Sequence, residues 1–299
     1  MLRDDMKTEF NSLLPGESTE AGATRRTALK VALGMGYAAA VLPIAAQTAI
    51  KTSVDGLTAG EVTIDVNGFK MPAYRAAPAG KSNLPVVLVA HEIFGVHEHI
   101  ADVCRRFAKA GYLAIAPELY ARQGDPSQYG EMAKLMSELV SKVGDVQVAG
   151  DLDACLDWAG ANGGDPKRAG ITGFCWGGRQ VWLYTAHSPR IRAGVAWYGR
   201  LVGASSALTP TNPIDMAASM HGSVLGLYGG KDGGIPLDTL EQMKTALAKG
   251  NAASKASEFV VYPYVGHAFH ADYRPSYNKE AAEDGFKRCL AWFKQHGVA

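Results

Sequence analysis

The sequence predicts an α/β fold: one mostly parallel, mixed β-sheet with helices on both faces. Three observations carry that expectation. Short, continuously apolar runs alternate with stretches of helical periodicity from residue 85 to the carboxyl end. Those runs have no polar alternation, as expected of strands buried on both faces. Glycine or polar residues follow most of the runs at once, where a parallel sheet places its loops.

The elements follow in order. Residues 61–66 alternate polar and apolar side chains and end at Asn67-Gly68, a two-residue hairpin turn. Residues 70–75 form the returning strand, and Pro72, which has no N–H to give a ladder, argues for an edge position. This hairpin makes the sheet mixed. Residues 85–90 and 112–116 are buried strands flanking a helix over 100–110. Further strands fall at 169–173, 193–197, 223–228 and 259–262, separated by helices around 131–142, 146–160, 177–187, 237–249 and 279–296. No repeat and no long linker interrupts this rhythm, so residues 51–299 read as a single domain.

Residues 1–50 are set apart. Arg25 and Arg26, in the segment 24–30, lie just before a modestly apolar stretch, 31–42, interrupted by Gly34 and Gly36 and followed by Pro43. Paired arginines before a short apolar run fit a twin-arginine export leader, removed near Gln47, and so a periplasmic location. The run is too short to span a bilayer, so no stable membrane anchor is expected. A net charge of +1 over 299 residues gives no reason to expect nucleic acid as a partner. Four scattered cysteines provide neither a disulfide framework nor a CxxC metal site. His91, His97, Glu98 and His99 are close in sequence, but Gly95 breaks helical spacing and no matching ligands follow, so no metal is expected.

The chemistry starts at Gly173-Phe174-Cys175-Trp176-Gly177-Gly178, between a strand and a helix. Read alone, a cysteine beside glycines is a packed core residue. The spacing, however, is that of the G-x-S-x-G nucleophile elbow with sulfur replacing oxygen: flanking glycines let strand and helix pass close together, and the helix amino end directs positive charge at the sulfur. That elbow points to the α/β-hydrolase fold, in which nucleophile, acid and histidine follow in that order. Asp232 lies in a glycine-rich loop after one late strand, and His267 follows the last strand. Singly each would be a turn or surface residue; together they complete a Cys175–His267–Asp232 set, the aspartate orienting the imidazole and the imidazole moving the proton. The oxyanion donors would be the N–H groups of Trp176 and Ile93.

With these residues in view, the chain resembles the dienelactone hydrolase family of cysteine α/β-hydrolases from about Glu61 to its end. The resemblance rests on residues 92–96 (Glu92 first), 116–122 (Ala116 to Arg122), the Cys175 elbow, Trp197-Tyr198-Gly199 and Gly266-His267. It implies that the triad carries over to Cys175, His267 and Asp232, that Glu92 meets the resting thiol, and that Arg122 binds a substrate carboxylate. It implies no cofactor. A carboxylate near a thiol discourages its ionisation until substrate rearranges the pair; Glu92 could instead cap the next helix, and Arg122 could form a surface ion pair. Tyr120, Trp176, Trp197 and Tyr198 are candidates to line an aromatic pocket or to be core. One departure stands out: the family member acting on dienelactone has a second arginine four residues after the histidine, whereas Ala271 stands there in this chain, with Arg274 out of register. The expected partner is a small lactone or ester, opened through a thioester. Two other readings are a non-catalytic binding protein on the same fold, and a cysteine–glutamate enzyme of the amidase or glyoxalase type built on Cys175 and Glu92.

Overall fold

The structure is a computed structural model and describes residues 50–299; the export leader read from the sequence lies outside the described residues. Among these, no helix is long and apolar enough to cross a membrane. The hairpin forms as the sequence predicts. β1 (Leu57–Val66) and β2 (Phe69–Pro78) pair antiparallel around Asn67 and Gly68, whose φ values of 53° and 91° are those the tight turn requires. β3 (Leu84–Ala90), β4 (Leu113–Pro117), β5 (Gly164–Phe174), β6 (Ile191–Trp197), β7 (Ser223–Gly229) and β8 (Glu258–Tyr262) complete an eight-stranded sheet. Its order is β1-β2-β4-β3-β5-β6-β7-β8, parallel from β4 to β8. The α/β-hydrolase architecture follows.

Among the described residues, five long helices cover the sheet: α1 (Glu98–Lys109), α2 (Asp145–Ala161), α3 (Trp176–His187), α4 (Leu237–Ala248) and α5 (Lys279–Gln295). Two strand glycines show that both faces are used. A Cβ on Gly170 would meet Phe293 of α5, and one on Gly194 would meet Val181 and Thr185 of α3. Gly170 is paired with Ala193, the residue before Gly194, so these glycines face opposite sides of the pleat. Phe107 of α1 packs on Phe286 and Phe293, placing α1 beside α5.

Two local expectations are corrected. Pro72 is not on an edge strand: β2 lies between β1 and β4. Counting back from the two-residue turn, the Thr63–Pro72 pair is a non-hydrogen-bonded one, so the missing N–H faces β4, whose ladder begins only at Ala73–Pro117. The single helix expected over 131–142 is three short pieces, Met132–Lys134, a π turn at Leu135–Leu139 and a 3₁₀ turn at Val140–Lys142. Met132, Leu135, Leu139 and Val140 are buried at helical spacing; periodicity identified the covered face, not the hydrogen-bond step. Short helices at Pro213–Met216 and Ala252–Lys255 lacked any periodic run long enough to announce them.

Candidate active site

Cys175 is the single residue between β5 and α3, with φ 54° and ψ −114°, a conformation that costs energy for any residue with a Cβ. Its N–H donates to the Trp197 carbonyl at 3.0 Å, tying the elbow to the end of β6. The flanking glycines are sterically required. A Cβ on Gly177 would lie 2.2 Å from the Ala90 carbonyl oxygen, and one on Gly173 2.5 Å from that of Gly177. Strand β3, strand β5 and helix α3 therefore meet backbone to backbone, bringing the loop after β3 beside the sulfur.

The loops after β7 and β8 are joined by their own backbones: Gly230 donates to Tyr262 at 2.8 Å and Lys231 to Val265 at 2.9 Å. Asp232 and His267 consequently face each other, with His267 Nδ1 2.7 Å from Asp232 Oδ2. Asp232 is buried, and its other oxygen accepts the Gly234 N–H at 2.9 Å. Burial works against the His267 imidazolium, but Cys175 and then the Asp232 carboxylate outweigh it and push its pKa up to about 10. Cys175 and His267 therefore interact directly. Elbow, carboxylate and imidazole come together at the carboxyl ends of β5, β7 and β8.

Glu92, on the loop after β3, is buried and is not a helix cap; His97 holds that position on α1. Tyr273 donates its hydroxyl to Glu92 Oε2 at 2.5 Å, and His97 Nε2 lies 3.6 Å from the same oxygen. Burial opposes its charge, yet Arg274 and His97 hold the carboxyl well below the usual range. Arg274 is the residue sequence reasoning set aside. Its guanidinium lies over Phe94 and Tyr273, and it interacts electrostatically with Glu92 and Cys175.

The aromatic candidates divide. Trp176 packs on Tyr120 (4.9 Å between ring centroids) and on His91 (5.6 Å), and the Tyr198 ring is 5.1 Å from that of His267. The buried hydroxyls of Tyr120 and Tyr198 have no hydrogen-bond partner among the described residues, and each phenol interacts electrostatically with Cys175. Trp197 is core rather than pocket: it is buried against Phe174 and His270, gives its indole N–H to Thr172 at 3.1 Å, and leaves no room for a Cβ on Gly285 of α5. Trp176 begins α3, so its N–H has no partner within the helix; Ile93 is buried next to Glu92. Arg122 is bound at 2.7 Å to the buried Asp151 of α2 and lies over Phe69 at 4.2 Å. This is an ion pair with one buried partner, and the contacts described for Arg122 do not join it to the cysteine. His99 likewise has a structural partner, Asp272, at 3.1 Å.

Comparison with known proteins agrees with this architecture. The model of the "Dienelactone hydrolase family" matches residues 71–297. A protein of Methylorubrum extorquens, provisionally named a carboxymethylenebutenolidase, is 57% identical over 293 residues, covering 98% of this chain and 100% of that protein. A protein of Escherichia coli K12 with the same provisional name is 53% identical, over 88% of this chain and 96% of its own. The crystal structure of a provisionally named dienelactone hydrolase from Klebsiella pneumoniae superposes with a TM-score of 0.78 at 56% identity, covering 80% of this chain and 99% of the other. The chain belongs to the dienelactone hydrolase family and is a hydrolase.

Proposed function

We propose that the chain opens a small, carboxylate-bearing lactone or ester through Cys175, His267 and Asp232. The observation that carries this reading is the 2.7 Å bond from His267 to Asp232, next to a cysteine held in an elbow conformation. Cys175 first passes its proton to His267, whose imidazolium is favoured beside the sulfur and Asp232, and the sulfur then attacks the acyl carbonyl; an S–C bond forms and the carbonyl electrons become an oxyanion, received by the N–H groups of Trp176 and Ile93. Collapse breaks the ring C–O bond, and His267 returns the proton to the leaving oxygen, giving a thioester. Water then attacks, losing a proton to His267; the S–C bond breaks and a carboxylic acid departs. Asp232 holds the imidazole in one tautomer throughout.

Glu92, held ionised in the site, is the carboxylate that meets the resting thiol. Arg122, joined by Arg274, supplies positive charge for the substrate carboxylate; the electrostatic reach of Arg274 to Cys175 supports its inclusion. Residues 1–50 act as a twin-arginine leader to the periplasm, which fractionation of cells expressing an Arg25→Lys, Arg26→Lys chain tests.

Substitution tests the mechanism. Cys175→Ala is expected to lose ester and lactone hydrolysis by roughly 10³-fold or more, and Cys175→Ser to recover little of it. Asp232→Ala is expected to lose roughly 10²-fold or more; a cysteine–glutamate enzyme would tolerate that change. Full turnover in Cys175→Ala would overturn the reading.

A further inference from the structure

Next to both proposed oxyanion donors sits a histidine that the mechanism above does not use. His91 is fully buried. Its Nδ1 lies 2.6 Å from the Glu92 carbonyl oxygen, and its Nε2 lies 3.1 Å from the Leu119 backbone nitrogen. A carbonyl can only accept and a backbone N–H can only donate, so the two contacts fix the tautomer: the proton is on Nδ1 and the lone pair on Nε2. Burial keeps the ring neutral, pushing its pKa down to about 4.

The carbonyl it grips belongs to the peptide that joins Glu92 to Ile93. In a trans peptide C=O and N–H point in opposite directions from one rigid plane, and the described chain has no cis bond. Anchoring the Glu92 oxygen therefore fixes where the Ile93 N–H points, and a bond at the oxygen also polarises the N–H. The ring stacks on Trp176, the other donor residue, with 17° between planes. Glu118 closes the frame from behind: its Oε2 accepts the Val96 N–H at 2.8 Å, and its Oε1 lies 3.4 Å from His91 Nε2. The loop from Glu92 to Val96 is pinned at both ends.

We propose that His91 is a positioning residue that aims the Ile93 N–H at the reacting carbonyl oxygen by holding the Glu92–Ile93 peptide plane, its tautomer set by the Glu92 carbonyl and the Leu119 N–H. The proposal rests on the reading that Cys175 attacks an acyl carbonyl whose oxygen gathers charge at Ile93 and Trp176.

Two polar substitutions separate the ring's two contacts. His91→Asn places an amide nitrogen where Nδ1 was and keeps the grip on the Glu92 carbonyl. His91→Gln reaches the Nε2 position, serving Leu119 and leaving that carbonyl free. Each is assayed with an aryl ester, whose acylation of Cys175 develops an oxyanion, and with iodoacetamide, whose alkylation of the same sulfur displaces iodide and develops none. His91→Gln is expected to lower kcat for the ester by roughly ten- to a hundredfold with KM little changed, alkylation to continue at the wild-type rate, and His91→Asn to recover most of kcat. Should His91→Gln not fold, His91→Phe, which keeps the stack on Trp176 and loses the donor, takes its place with the same expectation. Wild-type kcat in the Gln or Phe variant, equal losses in Asn and Gln, or alkylation falling in step with ester turnover would each overturn the proposal. Those outcomes leave the underlying mechanism standing when the wild-type enzyme still acylates Cys175; a wild type that turns over ester without acylating it sinks the mechanism itself.

Discussion

Glu118 is a buried carboxyl close to the unprotonated imidazole nitrogen of His91, a position that favours its neutral form. Burial raises its pKa from 4.5 to about 7, against the N–H groups of Val96 and Tyr120, which lower it. Below pH 4.5 the group is protonated in folded and unfolded chains alike and contributes nothing to pH dependence. Between 4.5 and about 7 only the unfolded chain releases its proton, so stability falls; above 7 the full penalty, on the order of 3 kcal/mol, is present. Glu118→Gln is therefore expected to stabilise the chain at pH 8 relative to its effect at pH 4, read by thermal unfolding at the two values; the same shift at both would contradict this account. Cys175, Asp232 and His267, which the fold brings together, were legible because spacing and chain order single them out. The sequence could not announce Glu118 or His91 as partners, since their contact joins two loops 27 positions apart. Arg274 was missed for a related reason. Position along the chain after His267 was read as position in space, but Ala268 takes a positive φ of 59° and successive turns (Ala271 to Ala268, Arg274 to Ala271) fold the segment back on the site.

At the scale of elements, the site depends on how closely β3, β5 and α3 approach one another. Gly177→Ala puts a methyl group 2.2 Å from a carbonyl oxygen of β3, and no side-chain movement relieves a backbone clash. It is expected to destabilise the fold by roughly 3 kcal/mol or more and to abolish turnover, measured by urea unfolding and ester hydrolysis; an unperturbed variant would mean that the elbow is looser than described. Elements with strong local chemistry were legible: the Asn67-Gly68 hairpin, the buried strands and the long helices. Where the outcome depended on a neighbour, sequence reasoning failed. Pro72 is accommodated inside the sheet because β4 pairs only from Ala73 onward, and the 131–142 segment winds through a π turn while keeping its buried face.

Over the whole molecule, the sheet order collects the loops after β3, β5, β7 and β8 at one end, so residues from 92 to 267 share one site. Buried ion pairs then brace that end. Asp272 binds His99 and Arg106, Asp102 binds Arg105 and Arg106, and the Thr52 backbone binds Asp102, which joins the start of the described chain to α1. Arg122 belongs to the same kind of bracing through Asp151, as well as to the proposed substrate grip. Arg122→Ala is accordingly expected to destabilise the fold by about 3 kcal/mol, since it strands a buried carboxylate, and to lower kcat/KM for an acidic lactone roughly tenfold or more relative to a neutral one. Unfolding curves and paired kinetics separate the two effects; lost stability with unchanged preference would leave Arg122 a structural residue alone.

The covalent intermediate is the most direct test. Wild-type enzyme is mixed with an aryl ester or lactone, quenched in acid during turnover, digested and examined by mass spectrometry. The account expects the acyl group as a mass increase on the peptide bearing Cys175, absent from the His267→Ala enzyme. Rapid turnover with an unmodified Cys175 peptide, or the acyl group on another residue, would contradict it.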